Sequence, residues 1–135
     1  MDRLIVAEEL IEQMVSHCRA GYPYEACGML AGRNGRVEKV YAMTNDEPSP
    51  VSYLINPREQ FLVMKEMREK RLELVGIFHS HPSSPPVPSA KDVNLAFYPD
   101  SVYVILGLSD PGHPEIRAYE IRDGRAVELP VEPVR

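Results

Sequence analysis

Cysteine is scarce in this chain: Cys18 and Cys27 are its two examples. A disulfide framework is thereby excluded, and the reducing cytoplasm is the expected compartment. No apolar run reaches the roughly 18 residues of a membrane-spanning helix, so no membrane segment is expected. The start, Met1-Asp2-Arg3-Leu4, lacks the long apolar core of a secretory signal. Basic excess is missing too. Lys and Arg number 15 against 20 Asp and Glu, a net charge of −5, and no basic cluster interleaves with aromatics. A nucleic-acid partner is disfavoured on that ground. Internal repeats and low-complexity segments are also lacking. What is there is an ordinary soluble composition, 44% hydrophobic and 26% charged. The length of 135 residues suits one domain, 1–135, with a real core.

The patterning predicts a mixed α/β chain. Leu4-Ile5-Val6 is a short strand or a lead-in to the first helix. Leu10, Ile11, Met14, Val15 and Cys18 form one helical stripe between Ala7 and Ala20, closed by Gly21 and Pro23. Residues 25–32 and 37–43 read as strands around an Asn34-Gly35 hairpin turn. A short strand is expected at 51–55. Asn56-Pro57 starts a helix to about Arg71, with Phe61, Met64 and Met67 inward. Strands follow at 74–81 and 102–108, with a short helix from Ser89 to about Tyr98 between them. A hairpin of 116–121 and 126–129 turns at Asp123-Gly124, and Pro130 and Pro133 are expected to end the ordered chain. Strands outnumber helices, which suggests a mixed sheet with helices packed on it.

The chemistry gathers at Phe78-His79-Ser80-His81-Pro82. Strand side chains alternate, so His79 and His81 share a face and Ser80 points the other way. Two imidazoles roughly 6.6 Å apart along a strand can converge on one ion held at about 2.0–2.1 Å from each nitrogen. A proline-rich loop, 83–88, then leads to Ser89-Ala90-Lys91-Asp92, the first turn of a helix. Asp92 can fold back as a third ligand, leaving the fourth tetrahedral position open, as in catalytic zinc sites. A base for the attacking water is sought among carboxylates. Glu25 is chosen because Ala26, Cys27 and Gly28 beside it leave room for substrate, whereas Glu66 and Glu69 sit on a charged helix. Glu38 lies in an exposed hairpin strand, and Asp46 and Glu47 in a loop. Ser89 either caps the helix or donates to a developing oxyanion.

His79-x-His81, seven residues, Ser89, two residues and Asp92, with Glu25 upstream, resembles the JAMM (MPN+) metalloprotease motif. Pro82 and the run from Glu25 through Gly28 and Leu30 to Gly32 resemble its bacterial and archaeal members. The resemblance implies a cytidine-deaminase-like mixed β-sheet flanked by helices, and one zinc ion on His79, His81 and Asp92. It implies Glu25 as general base and Ser89 as oxyanion donor. It also implies cleavage of a peptide, isopeptide or amide bond after the C-terminal tail of a ubiquitin-like or sulfur-carrier protein. Eukaryotic members that grip ubiquitin chains carry insertions; the span from Asp92 to Tyr103 here is short and holds no His or Cys.

Blander readings stand beside these. A lone His-x-His is usually incidental, and Ser-x-x-Asp before an apolar segment is usually a capping box. His17 reads as a helix-surface residue and His113 as an exposed turn residue. Cys27 could be a nucleophile, but no histidine is placed by sequence to activate it, and a small buried residue is the simpler role. Cys18 reads as core. The nucleobase-deaminase signature, H-x-E with P-C-x-x-C, is absent. Two other functions fit the same chemistry or fold: a metal-dependent amidase on small amino-acid conjugates, and a non-catalytic binding module. The substrate tail is expected to add a strand to an exposed sheet edge beside the site. The sequence leaves self-association into a homo-oligomer open.

Overall fold

Apolar side chains alternate along the strands and so divide into two layers, one on each face of a single sheet. The computed structural model describes residues 1–135. Its elements run β1 (Leu4–Ala7), α1 (Glu8–Gly21), β2 (Cys27–Arg33), β3 (Arg36–Met43), α2 (Pro57–Glu69), β4 (Glu73–His81), α3 (Ala90–Asn94), β5 (Val102–Gly107), β6 (Glu115–Arg122), β7 (Arg125–Leu129) and β8 (Val131–Val134). The eight strands lie in the order β7-β6-β5-β4-β2-β3-β1-β8. β4 and β5 are parallel, as are β1 and its neighbours β3 and β8; the other pairs are antiparallel. The two hairpin turns fall where expected. Asn34-Gly35 and Asp123-Gly124 both take positive φ at each residue, the conformation that such pairs favour.

One layer holds α1. Met14 and Cys18 of its stripe are buried against Leu30, Phe78, Val104 and Leu106. The other holds α2 and α3, packed over Cys27, Met29, Ile77, Tyr103 and Ile105. Each large apolar side chain buried this way contributes about 1.5–3 kcal/mol. In β4 the pairing slips between Leu30 and Ala31, opposite Gly76 and Leu74, so Val75 is skipped. That bulge puts Val75 on the α1 face together with Phe78. Ile77, His79 and His81 are left on the α2 and α3 face. Gly28 lets β2 lie against β4, because a Cβ there would come within 2.2 Å of the Phe78 ring.

Four expectations are corrected. Residues 51–55 form no strand; Ile55 alone makes a bridge, to Asn45. The Asn45 side chain accepts from the amides of Glu47 and Leu54 and donates to the carbonyls of Ser52 and Glu25, so local bonds replace a ladder. The helix after Ser89 stops at Asn94, where the backbone tightens to an Ala96-to-Val93 bond before Pro99. On α2, Phe61 is 64% exposed. The inward stripe is Gln60, Val63, Met64 and Met67, and Phe61 lies one position out of phase with it.

The fourth correction concerns the end of the chain. Pro130 and Pro133 do not end its order, since β8 pairs with β1 in register from Leu4↔Val131 to Ala7↔Val134. Proline is tolerated there because β8 is an edge strand. Only Pro130 separates β7 from β8, although these strands occupy opposite ends of the strand order. The sheet is therefore rolled so that its two edges come near each other at Pro130 without pairing. No helix is long and apolar enough to cross a membrane.

Candidate active site

β4 ends in the middle of the sheet, flanked by β2 and β5, with His79 opposite Cys27 and Ile105 and His81 opposite Gly107. No free sheet edge borders this point, contrary to the expected strand addition beside the site. The extended segment 51–54 lies there instead, and the Tyr53 ring stacks on His79 at 4.6 Å between centroids and 25° between planes. From His81 the chain enters the proline-rich loop. That loop is pinned from two sides: Pro85 carbonyl is 2.8 Å from His81 Nδ1, and Tyr119 hydroxyl donates to Pro86 carbonyl at 2.8 Å. The pinning returns the chain over the ends of β4 and β5, where α3 begins.

Ser89 caps α3 in a reciprocal box. Its hydroxyl accepts from Asp92 N–H at 3.0 Å, and its own N–H donates to Asp92 Oδ2 at 2.9 Å. The box fixes the Asp92 carboxylate over the histidines. Oδ2 lies 3.2 Å from His79 Nε2 and 3.1 Å from His81 Nε2, and the two nitrogens are 3.1 Å apart. The three atoms thus form a nearly equilateral triangle. Four ligands placed tetrahedrally at about 2.0–2.1 Å from an ion stand roughly 3.3 Å from one another, close to the spacing found.

The donor chemistry also fits a cation. With Nδ1–H of His81 donated to Pro85, its Nε2 carries a lone pair that faces a carboxylate oxygen and another imidazole. Lone pairs this close repel unless a proton or a metal ion sits among them. His79, His81 and Asp92 form the group of side chains able to hold a metal ion.

Charges follow the burial. His79 is 1% exposed, and burial pushes its imidazole below the ordinary value, with Asp92 only partly offsetting it. Burial acts on His81 in the same sense, but Asp92 and the Pro85 carbonyl outweigh it and raise that group. For Asp92, burial is opposed and exceeded by the two histidine rings beside it, which hold the carboxyl well below the usual range.

Glu25 lies just before β2. Cys27 pairs with His79, and Ser80 N–H donates to Ala26 carbonyl at 3.0 Å, so the same ladder sets Glu25 opposite His81. Alternation then gives Glu25 the face shared by His79 and His81. Its backbone is clamped, with N–H donating to Ser49 carbonyl at 2.7 Å and the carbonyl accepting from Asn45 Nδ2 at 2.9 Å. The side chain is 4% exposed, and Oε1 has no hydrogen-bond partner. Burial pushes this carboxyl up to about 7, opposed by His81 and reinforced by Asp92.

Sequence reasoning passed over several residues here. Ser80, read only as pointing away from the site, accepts from Ala26 N–H at 2.9 Å and locks β4 to the segment bearing Glu25. Tyr53 and Asn45 carried no motif signal. His17 is not a surface histidine: it is half-buried, with Nε2 2.9 Å from the Cys27 carbonyl. His113 is exposed, as expected. Cys27 and Cys18 are both fully buried and their thiols are pushed up to about 12, so neither offers a thiolate near neutrality.

A cleft of about 160 Å³ adjoins the site, with Tyr53, Leu54, Lys91, Asp92, Leu95 and Phe97 among its lining residues.

Comparisons with known proteins identify the family. A profile of the family described as prokaryotic homologs of the JAB domain matches residues 7–122. The CysO-cysteine peptidase of Mycobacterium tuberculosis is 41% identical over 133 residues, covering 97% of this chain and 91% of that protein. A probable TtuB-protein conjugate cleaving protease of Thermus thermophilus is 34% identical over 129 residues, covering 95% and 82%. Among solved structures, a Desulfitobacterium hafniense protein superposes with a TM-score of 0.89 at 36% identity, over 98% of this chain and 93% of that one. A JAB1/MPN domain protein from Archaeoglobus fulgidus, 19% identical, shares the fold with a TM-score of 0.63 over 98% and 97% of the two chains. By sequence and fold together, the protein belongs to the compact prokaryotic branch of the JAB/MPN (JAMM) family and is a hydrolase of peptide or isopeptide bonds.

Proposed function

We propose that this enzyme cleaves the bond following the C-terminal tail of a ubiquitin-like or sulfur-carrier protein, using zinc held by His79, His81 and Asp92. The observation that carries the reading is the convergence of those three ligand atoms within 3.2 Å of one another, with a buried carboxylate on the same face. The names of the relatives, a CysO-cysteine peptidase and a TtuB-conjugate protease, support the substrate class. Zinc suits two imidazoles and a carboxylate; when bound it acts as a Lewis acid that polarises a carbonyl and acidifies water.

The protein's own groups do the rest. Glu25, desolvated and without a fixed partner, accepts a proton from the attacking water and returns it to the departing amine. Burial that raises the Glu25 carboxyl makes it a better proton acceptor than a solvated carboxylate. The Ser89 hydroxyl accepts from Asp92 N–H and keeps its own hydrogen to donate to the carbonyl oxygen as charge develops there. The proton set free on Glu25 thus reaches the amine, and the acyl product leaves as a carboxylate. The tail lies extended in the cleft between segments 51–54 and 95–98, where small residues pass most easily.

The test uses fusions of a ubiquitin-like protein whose diglycine end is joined either to a single amino acid or to a second protein. Cleavage after the tail, lost on chelation and in Glu25→Ala, is the expected result. Cleavage of small amino-acid conjugates alone would move the enzyme to the amidase reading. Persistence of activity in Glu25→Ala would remove that residue from its role.

A further inference from the structure

The two histidines are held in unlike ways. His81 has its ring fixed by a bond between Nδ1 and the Pro85 carbonyl. His79 has no such bond; its Nδ1 is buried and unpaired. A ligating imidazole ordinarily needs its far nitrogen tethered to fix its orientation. Away from its ligand nitrogen, the His79 ring is stacked by Tyr53 at 4.6 Å between centroids, while the His81 ring lies tilted against it at 5.0 Å. Tyr53 lies outside every helix and strand, in a segment anchored by the Asn45 side chain at Ser52 and Leu54.

We propose that Tyr53 is a positioning residue for the metal centre: its ring, not its hydroxyl, fixes the orientation of His79 and so replaces the missing hydrogen bond at Nδ1. The inference rests on the metal-site reading above. Stacked aromatic rings attract one another in preferred relative orientations, which selects one orientation of a ring with no tether. Asn45 takes part indirectly, because its side chain binds both this segment and the Glu25 carbonyl. One amide thereby ties the general base and the histidine clamp to a common anchor.

The experiment measures zinc affinity by competition with a chromophoric chelator for the wild-type protein, Tyr53→Phe and Tyr53→Leu. Tyr53→Phe keeps the ring and is expected within threefold of wild type. Tyr53→Leu is expected to weaken zinc binding about tenfold, the lower end of the range for outer-shell partners of a metal ligand. A second measurement needs no variant. In the chelator-treated wild-type protein, stacking should shift the His79 ring-proton resonances upfield of those of His81.

Equal affinity in all three proteins would overturn the proposal, as would equal losses in Tyr53→Phe and Tyr53→Leu, which would assign the effect to the hydroxyl. Should Tyr53→Leu not fold, the proposal stands or falls on the resonance shift, and its absence overturns it. A wild-type protein that binds no zinc sinks the metal-site reading and this inference together. Zinc binding that ignores position 53 sinks this inference alone.

Discussion

At the scale of single residues, the burial of Glu25 carries a cost. Its carboxyl is raised from its ordinary 4.5 to about 7 by burial. A raised folded-state pKa gives stability that is complete below the unfolded value and lost as pH rises through the folded value. The chelator-treated protein should therefore lose stability between about pH 4.5 and 7. Glu25→Gln removes that loss. At pH 8 the variant is expected to be more stable than the wild type by up to about 3 kcal/mol, at about 1.4 kcal/mol per pKa unit, with no difference near pH 4. Urea unfolding at the two pH values measures it, and equal stability at pH 8 would contradict the assignment. The same substitution, with zinc restored, should lower kcat by 10²–10⁴ while leaving metal content unchanged. Ser89 separates two roles in one experiment. Loss of the cap in Ser89→Ala costs about 1 kcal/mol of stability. Loss of an oxyanion donor costs a further factor of about 10²–10³ in kcat. A variant that is less stable but turns over normally would leave Ser89 as a cap alone.

The β2–β4 pair sets the active centre at the scale of elements. Its register places Cys27 against His79 and carries Glu25 to His81. Gly28 permits that approach, since a Cβ there would meet Phe78 at 2.2 Å and the Tyr41 carbonyl at 2.4 Å. Gly28→Ala must move the strand or the ring, and overpacking of this kind costs about 1–3 kcal/mol. Its expected signature is a lowered melting temperature together with a fall in kcat, because Glu25, the proposed general base, rides on the displaced strand. A melting temperature equal to that of the wild type would show that the strands have room to spare. α3 owes its place to its cap more than to its length. With five residues it has little helical stability of its own, and Val93 is its one side chain in the core layer. Here the Ser-x-x-Asp spacing was legible as both a cap and a ligand turn; the structure forms the cap, which sets Asp92 Oδ2 beside both histidines.

The rolled sheet decides how the parts support one another at the scale of the whole molecule. β8 covers the outer edge of β1 and ties the chain's end to its beginning through Leu4 N–H and the Pro130 carbonyl at 2.9 Å. Deleting residues 131–135 uncovers that edge and removes the apolar contact made by Val131 with the α1 layer. The truncated protein is expected to melt lower and to self-associate through the bared strand, as size-exclusion chromatography and thermal unfolding would report. Unchanged size and stability would show the last strand to be dispensable. Exposed Leu54, Leu95, Phe97 and Val87 belong to the segments around the site.

The sequence by itself determined the ligand candidates, both hairpin turns and the α1 stripe, because each follows from a fixed local period: two for a strand, near four for a helix, and positive φ for Asn-Gly and Asp-Gly. His79 and His81 had to share a face whatever the fold. Tertiary structure alone decided the rest. Whether Asp92 reached the histidines depended on a loop pinned by Pro85 and Pro86. The nearness of Glu25 depended on strand register across more than fifty residues of chain. The Val51–Ile55 segment lost its strand to one asparagine side chain, and Tyr53 gained a role through a contact that no spacing encodes. Local patterns set which way a side chain points; only packing sets what it meets.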